Sequence, residues 1–417
     1  MTQQMANSHP KLRPLDVRPG VEQGHPHLLL RDPLALSPHT VMVPQMLGML
    51  LALLDGTRDV PTLASAYALR TGVPMTVDTV QQVVDGLSKA LLLEDERSAE
   101  AYAAARREYL EAAFRKPALA GLAYPEDPVA LAESLRGYCD LAPPEESGAG
   151  DRAAPVLGII SPHIDYQRGG PVYGSVWQRA ARAIEESELV IVFGTDHAGG
   201  AGKLTLTRQD YATPWGPLPT AQPIVDALAG VLGEEEVFEE ELHHRNEHSI
   251  ELALVWLHYM LGARSVEVVP ILCGSFHGFI AGDVDPALWR PFDEALGVLR
   301  EAASERRTLV IAAADLAHVG PAFGDDRRWD DGNRAALRSA DDALLRAISA
   351  GDADAFFGEV KQVSDRYRIC GMPPIYLTLR LLGEVDGATT AYDQCPADGE
   401  GASLVSIAGA LLRRPSG

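Results

Sequence analysis

Three stretches of this chain, far apart in sequence, are short apolar runs that stop abruptly on acid/base or metal-capable side chains. Val156–Ser161 runs into Pro162-His163-Ile164-Asp165-Tyr166, Leu189–Thr195 into Asp196-His197, and residues 308–314 into Asp315-Leu316-Ala317-His318. A fourth segment, 365–369, leads into Cys370-Gly371. The first three runs lack polar alternation, as strands buried on both faces of a parallel sheet do. Ligands of open α/β sheets bind beyond the carboxyl ends of such strands. We therefore expect an α/β layered fold with one shared site, gathered from across the sequence.

The chain has 417 residues, enough for two or three domains. Its net charge of -22 would repel phosphate backbones, which argues against nucleic acid as a partner. The apolar stretch 46–54 is too short to span a bilayer, so no membrane segment is expected. No basic segment followed by an apolar core opens the chain, and the four cysteines show no paired spacing. A reducing cytoplasm is the expected location. The acidic cluster 234–241 reads as a solvated helix end or loop.

Residues 1–26 read as a loose polar arm. A small, mainly α module follows over 27–95. It has a strand at 27–30, helices at 43–54, Val60–Thr71 and 76–89, and a returning strand at 90–93. Together these suggest a winged-helix-like unit. Residues 98–114 form a connecting helix, and a boundary falls at Arg115-Lys116-Pro117. Beyond it come a helix at 128–138 and an exposed loop at 143–154. From there strands alternate with amphipathic helices, including strands at 266–272 and 403–411.

A redox metal takes imidazole, thiolate or carboxylate ligands with positions left open. Among the residues at these run ends, His163, His197 and His318 offer imidazoles, Cys370 a sulfur, and Asp165, Asp196 and Asp315 carboxylates. Plainer readings compete at each place. His163 could cap the following helix, His197 could be a loop histidine, and Cys370 could be inert packing or a nucleophile. Asp315 and His318 are three apart and would share a face on a helical first turn. There His318 would exchange protons with substrate, or Asp315 would simply be an N-cap. Glu247 and His248 open an apolar helix and could merely satisfy its free N–H groups. His243 and His244 read as solvent-facing, and His258 and His277 as structural.

The order of Arg115-Lys116-Pro117-Ala118-Leu119-Ala120-Gly121 with Tyr124-Pro125, Ser161-Pro162-His163, Gly194-Thr195-Asp196-His197, Glu247-His248-Ser249-Ile250-Glu251, Val269-Pro270-Ile271-Leu272, Asp315-Leu316-Ala317-His318, and Cys370-Gly371 with Pro374-Ile375 resembles the Memo family. Prokaryotic members of that family are known as protein B of the AmmeMemoRadiSam system. The resemblance covers about residues 115–415, within an expected α/β domain of 115–417. It implies a mixed central sheet flanked by helices, similar to class III extradiol dioxygenases. It also implies iron or copper, with zinc as a third option, on His163, His197 and Cys370. His248, Asp315 and His318 would be the catalytic groups of the same cleft. Asp165, Tyr166, Asp196 and Glu247 would contact substrate or support the ligands.

The family's usual Ser-His-His is here Asp196-His197-Ala198. Its Gly before the first-motif Tyr is Asp165, its Ser-Ser-Asp is Ala313-Ala314-Asp315, and its Arg after Cys-Gly is Met372. Through Leu54-Asp55-Gly56-Thr57 followed by a valine-rich helix, residues 27–94 resemble PqqD-like modules, which bind peptides beside radical enzymes; a plain structural helix bundle is the alternative. The implied function is a metal-dependent, dioxygenase-like oxidoreductase acting on a small-molecule or peptide substrate, with a radical-SAM enzyme system as a partner. A non-catalytic peptide-binding scaffold and a cysteine hydrolase are the alternatives.

Overall fold

The computed structural model describes residues 9–22, 24–143, 154–282 and 284–415. The chain divides into two units, Met1–Ala112 and Ala113–Gly417.

In the first unit, β1 (Asp16–Glu22), β2 (His25–Arg31) and β3 (Val41–Pro44) form an antiparallel meander. α1 (Gly48–Leu53), α2 (Val60–Thr71), α3 (Val77–Lys89) and α4 (Glu96–Glu111) follow. Each of the last three starts on a capping side chain, Asp59, Thr76 and Asp95 respectively, that accepts a backbone N–H of the first turn. α2 ends on Gly72 at φ 73°, a left-handed stop that glycine adopts without strain.

This unit corrects three expectations. The loose arm is partly β1, whose Pro19 is tolerated because β1 is an edge strand; residues 1–8 of the arm lie outside the described residues. The helix at 43–54 is shortened to α1, because its first residues complete β3 and then make a 3-10 turn. Residues 90–93 bury Leu92 and Leu93 but form only a single bridge, Leu12 to Leu93, rather than a strand.

The second unit runs α5 (Pro128–Asp140), β4 (Val156–Ser161), α6 (Tyr166–Glu186), β5 (Leu189–Thr195), β6 (Leu204–Leu206), β7 (Tyr211–Thr213), β8 (Gly216–Leu218), α7 (Gln222–Leu232) and α8 (Glu234–Phe238). It continues with α9 (Ser249–Leu261), β9 (Glu267–Cys273), α10 (His277–Ala281), α11 (Arg290–Glu305), β10 (Thr308–Ala313) and β11 (His318–Val319). α12 (Asp331–Ser349), α13 (Ala353–Gln362), α14 (Met372–Leu382), β12 (Asp386–Pro396) and β13 (Leu404–Arg413) complete it. The expected loop at 143–154 lies, apart from its two ends, outside the described residues.

The main sheet has the order β11-β13-β4-β10-β5-β9-β6, with β12 paired to β13. Its centre, β4-β10-β5-β9, is parallel, and β13 and β6 flank it antiparallel. The sheet is therefore mixed, with helices on both faces. Strand β5 illustrates why the apolar runs do not alternate. Leu189, Ile191 and Phe193 join one core, while Val190 and Val192 join the core on the opposite face. The in-register set Ser161, Ala313, Gly194 and Leu272 ends β4 and β10, and β5 and β9 run one paired residue further, to Thr195 and Cys273.

Away from that rim, α12 buries Asp341. One oxygen accepts from the Tyr392 hydroxyl at 2.7 Å, while the other has no hydrogen-bond partner among the described residues. Burial lifts this carboxyl to about 6. The folded state thus binds more protons than the unfolded chain between about pH 4 and 6, and stability is lost as pH rises through that window. Asp341→Asn, which mimics the protonated form, should stabilise the protein by about 1–2 kcal/mol at pH 7 and by little at pH 4. Urea unfolding at the two pH values measures it; equal effects at both would contradict this account.

Candidate metal centre

The motif Arg115 to Tyr124 does not reach the rim. It fastens the start of the second unit to α9. Arg115 is buried in an ion pair with Glu251, and donates to the carbonyls of His244 (2.8 Å) and Glu247 (2.9 Å). Glu251 also accepts from the backbone N–H of Ala118 and Leu119, both at 2.8 Å, and from the Tyr124 hydroxyl. A buried ion pair with its remaining polar atoms satisfied is a condition for tolerating two desolvated charges. Here it fixes the turn that carries Glu247 and His248.

Beyond β4, His163 is buried at 1% exposure. Its Nδ1 lies 2.9 Å from the Ala313 carbonyl, and a donated proton there leaves Nε2 free to face the cleft. The Asp315 carboxylate accepts from the backbone N–H of His163 (2.8 Å) and Ile164 (3.2 Å), tying the end of β4 to the end of β10. Beyond β5, His197 keeps 39% of its side chain exposed, and its Nδ1 sits 3.0 Å from a Glu247 oxygen. Cys370 arrives on a loop, and Gly371 donates to the Asp315 carbonyl at 3.0 Å. A Cβ at Gly371 would stand 2.3 Å from that oxygen and 2.6 Å from Ala314 Cβ, so the close approach needs glycine beside a small residue.

These elements bring the donor atoms of His163, His197 and Cys370 within 4.8 Å of one another. Cys370 Sγ lies 3.2 Å from His163 Nε2. His248 joins them: its ring is 5.4 Å from that of His163, and stacks on His197 at 4.9 Å and 14°. His318 flanks the sulfur closely enough to perturb it, with its ring edge-on to Phe323 at 5.1 Å. Burial alone would raise the Cys370 thiol, but the imidazoles of His163 and His318 outweigh it and hold the thiol well below its ordinary range. Burial opposes a charge on His163, yet Asp315 and Cys370 carry it up to about 9. Burial likewise opposes charge on Glu247, and His197 and His248 keep it well below the carboxylate range.

Several expected residues take other surroundings than the sequence suggested. Asp315 and His318 are not on a helix: 314–317 is irregular, and His318 opens β11, paired to Val405. Ser406 imposes this, because it accepts Leu316 N–H on its carbonyl and Ala317 N–H on its hydroxyl. Nothing in the sequence marks Ser406. Asp165 caps α6 and pairs with Arg168. Tyr166 is core, its hydroxyl donating to the Leu252 carbonyl at 2.6 Å. Asp196 pairs with His243 at 2.9 Å rather than with His197, and with Glu240 forms a separate acidic group.

His244, expected at the surface, is buried between the Tyr211 hydroxyl and the Thr205 carbonyl. That burial lowers its pKa to about 3. His243 is largely covered, with 11% of its side chain exposed. Glu241 is buried against Thr207 rather than solvated. Thr195 and Ser249 are unforeseen supports: Ser249 Oγ donates to the Thr195 carbonyl, and Thr195 Oγ1 to the Cys370 carbonyl.

The fold and this cluster define a Memo-type α/β protein, and residues 115–411 match the family described as Memo-like protein. The chain belongs to the Memo family. It is similar to a MEMO1 family protein of Aquifex aeolicus, 28% identical over 97% of this chain and 99% of that protein. A MEMO1 family protein of Methanopyrus kandleri is 28% identical over 72% of this chain and 99% of its own length. One of Thermotoga maritima is 30% identical over 62% and 84%.

Iodoacetamide at neutral pH should label Cys370 well ahead of Cys139, Cys273 and Cys395, whose thiols burial pushes up. His163→Ala should slow that labelling by about tenfold. Peptide mass spectrometry of timed samples reads both, and equal labelling of the four cysteines would refute the assignment.

Proposed function

We propose that the cleft holds a single redox-active metal ion, iron or copper, on His163, His197 and Cys370, and that the chain is a metal-dependent oxidoreductase. The observation that carries this reading is the convergence of two imidazoles and one sulfur within 4.8 Å, with both imidazole Nδ1 atoms already engaged. Engaged Nδ1 atoms fix the ring orientation that metal-binding histidines require. The donor set fits: imidazole suits iron and copper, and a thiolate shifts preference toward softer ions. Bound there, such an ion supplies one-electron chemistry and Lewis acidity.

The protein's own groups do the remaining work. His248, with 37% of its side chain exposed, exchanges a proton with substrate entering from the open side. His318 does the same on the sulfur side. Asp315 acts through the backbone by fixing His163, a role its contacts favour over direct proton transfer. The substrate class is a small or modified molecule able to reach the exposed edges of His197 and His248. Among the described residues no helix is long and apolar enough to cross a membrane.

A second reading has one observation in its favour. Cys370 Sγ at 3.2 Å from His163 Nε2 is also the contact of a thiolate nucleophile with its base. Metal analysis separates the two. Protein purified without oxygen and loaded with Fe(II) or Cu(I) should retain about one ion per chain, and each of His163→Ala, His197→Ala and Cys370→Ala should lose it. Full activity in metal-free protein that alkylation of Cys370 abolishes would instead establish the nucleophile.

A further inference from the structure

We propose that Glu247 is the positioning residue of the centre: one carboxylate that orients both the ligand His197 and the proton-transferring His248. This rests on the metal reading above and adds to it the device that sets two of its imidazoles. Glu247 lies in the turn that opens α9 and is only 9% exposed. Its two oxygens divide the work. Oε2 accepts from His197 backbone N–H at 3.2 Å and lies 3.0 Å from His197 Nδ1. Oε1 accepts from the backbone N–H of His248 (2.7 Å) and Ser249 (3.0 Å), and lies 3.1 Å from His248 Nδ1.

Both histidines thus turn Nδ1 toward the same anion, which leaves Nε2 of each free to face the other way. The consequence is visible in the rings: His197 and His248 are nearly parallel at 14°, while His163 stands at 82° and 88° to them. The free N–H groups at the start of α9 favour a negative charge at this spot.

An amide cannot substitute. All five contacts need an acceptor on both arms of the side chain, and a glutamine offers an oxygen on one arm only. With its oxygen retained on the His248 and Ser249 N–H groups, the amide nitrogen would face the donors of His197. That ring would have to turn or change tautomer. Glu247→Gln should therefore leave α9 capped but spoil the ligand.

Co(II), added without oxygen, is the probe, because a thiolate–cobalt charge-transfer band reports Cys370 and the visible d–d bands report geometry. Wild-type protein should show both at one equivalent. Glu247→Gln should keep the thiolate band, shift the d–d bands and bind Co(II) about 10- to 100-fold more weakly. Glu247→Asp, which keeps the charge but is one methylene shorter, should fall between them. It also serves as the test should the glutamine variant fail to fold.

Wild-type affinity and spectrum in the folded variants would overturn the role of Glu247 while leaving the metal centre intact. A merely structural role would lower the melting temperature of the metal-free variants with no shift in the d–d bands, and would overturn it too. Absence of any thiolate band in the wild type, or its persistence in Cys370→Ala, would overturn the metal reading itself.

Discussion

The in-register parallel pairing of β4, β10 and β5 is the constraint from which the site follows. Ser161, Ala313 and Gly194 stand side by side, so the three strands end within one residue of one another. Hydrogen bonding continues past the last paired residues. Ala314 N–H donates to the Ser161 carbonyl, His163 reaches the Ala313 carbonyl, and Asp315 collects two N–H groups from the β4 loop. A shift of one residue in any of these strands would turn its side chains to the opposite face and break this sequence of contacts. Because both faces are buried, such a shift would also misplace apolar side chains in two cores, and this is what holds the register.

That logic explains how much was legible in the sequence. Apolar runs without alternation identify central strands, and the residue types at their ends identify a shared rim. His163, His197 and Cys370 come together, as the shared run ends and the family resemblance implied. The readings that differed depended on long-range partners. Three-residue spacing alone could place Asp315 and His318 on one helical face, but β13 offers Ser406 to the same backbone N–H groups and draws the segment into an edge. Tyr166 sits one residue from a rim aspartate. However, it begins α6 and turns into the aromatic stack of Tyr124, Tyr173 and Trp256. His244 looks polar in isolation, yet a tyrosine hydroxyl and a carbonyl from distant segments satisfy it in the core.

The buried Arg115–Glu251 pair adds a second layer of constraint. Isolated, either charge would be costly at that depth. Glu251 accepts two backbone N–H groups and a tyrosine hydroxyl, and Arg115 donates to two carbonyls, so the pair satisfies polar groups that the entering chain would otherwise bury unpaired. One of those carbonyls belongs to Glu247 itself. A structural ion pair and a candidate catalytic turn are therefore joined by a hydrogen bond, and the family motif at Arg115 is explained without any contact to substrate.

The sulfur reaches the rim differently from the imidazoles. No strand carries it. Ser364, Asp365 and Arg368 precede it with φ of 52°, 48° and 53°, left-handed conformations that non-glycine residues hold only when their surroundings impose them. The surroundings are specific: Asp365 accepts the Ile369 N–H, Arg368 donates to the His318 carbonyl and pairs with Asp325, and Thr195 holds the Cys370 carbonyl. Every one of those partners except Asp365 belongs to β5, to β11 or to the segments that follow them. The loop's left-handed path is thus held by its contacts to the sheet and the segments that leave it. The two large cores on either face are built from other side chains, so apolar burial holds the sheet on which the donor cluster sits. Here the folded sheet supplies the geometry, and strain in the cysteine loop is sustained by the packing that gathers the histidines.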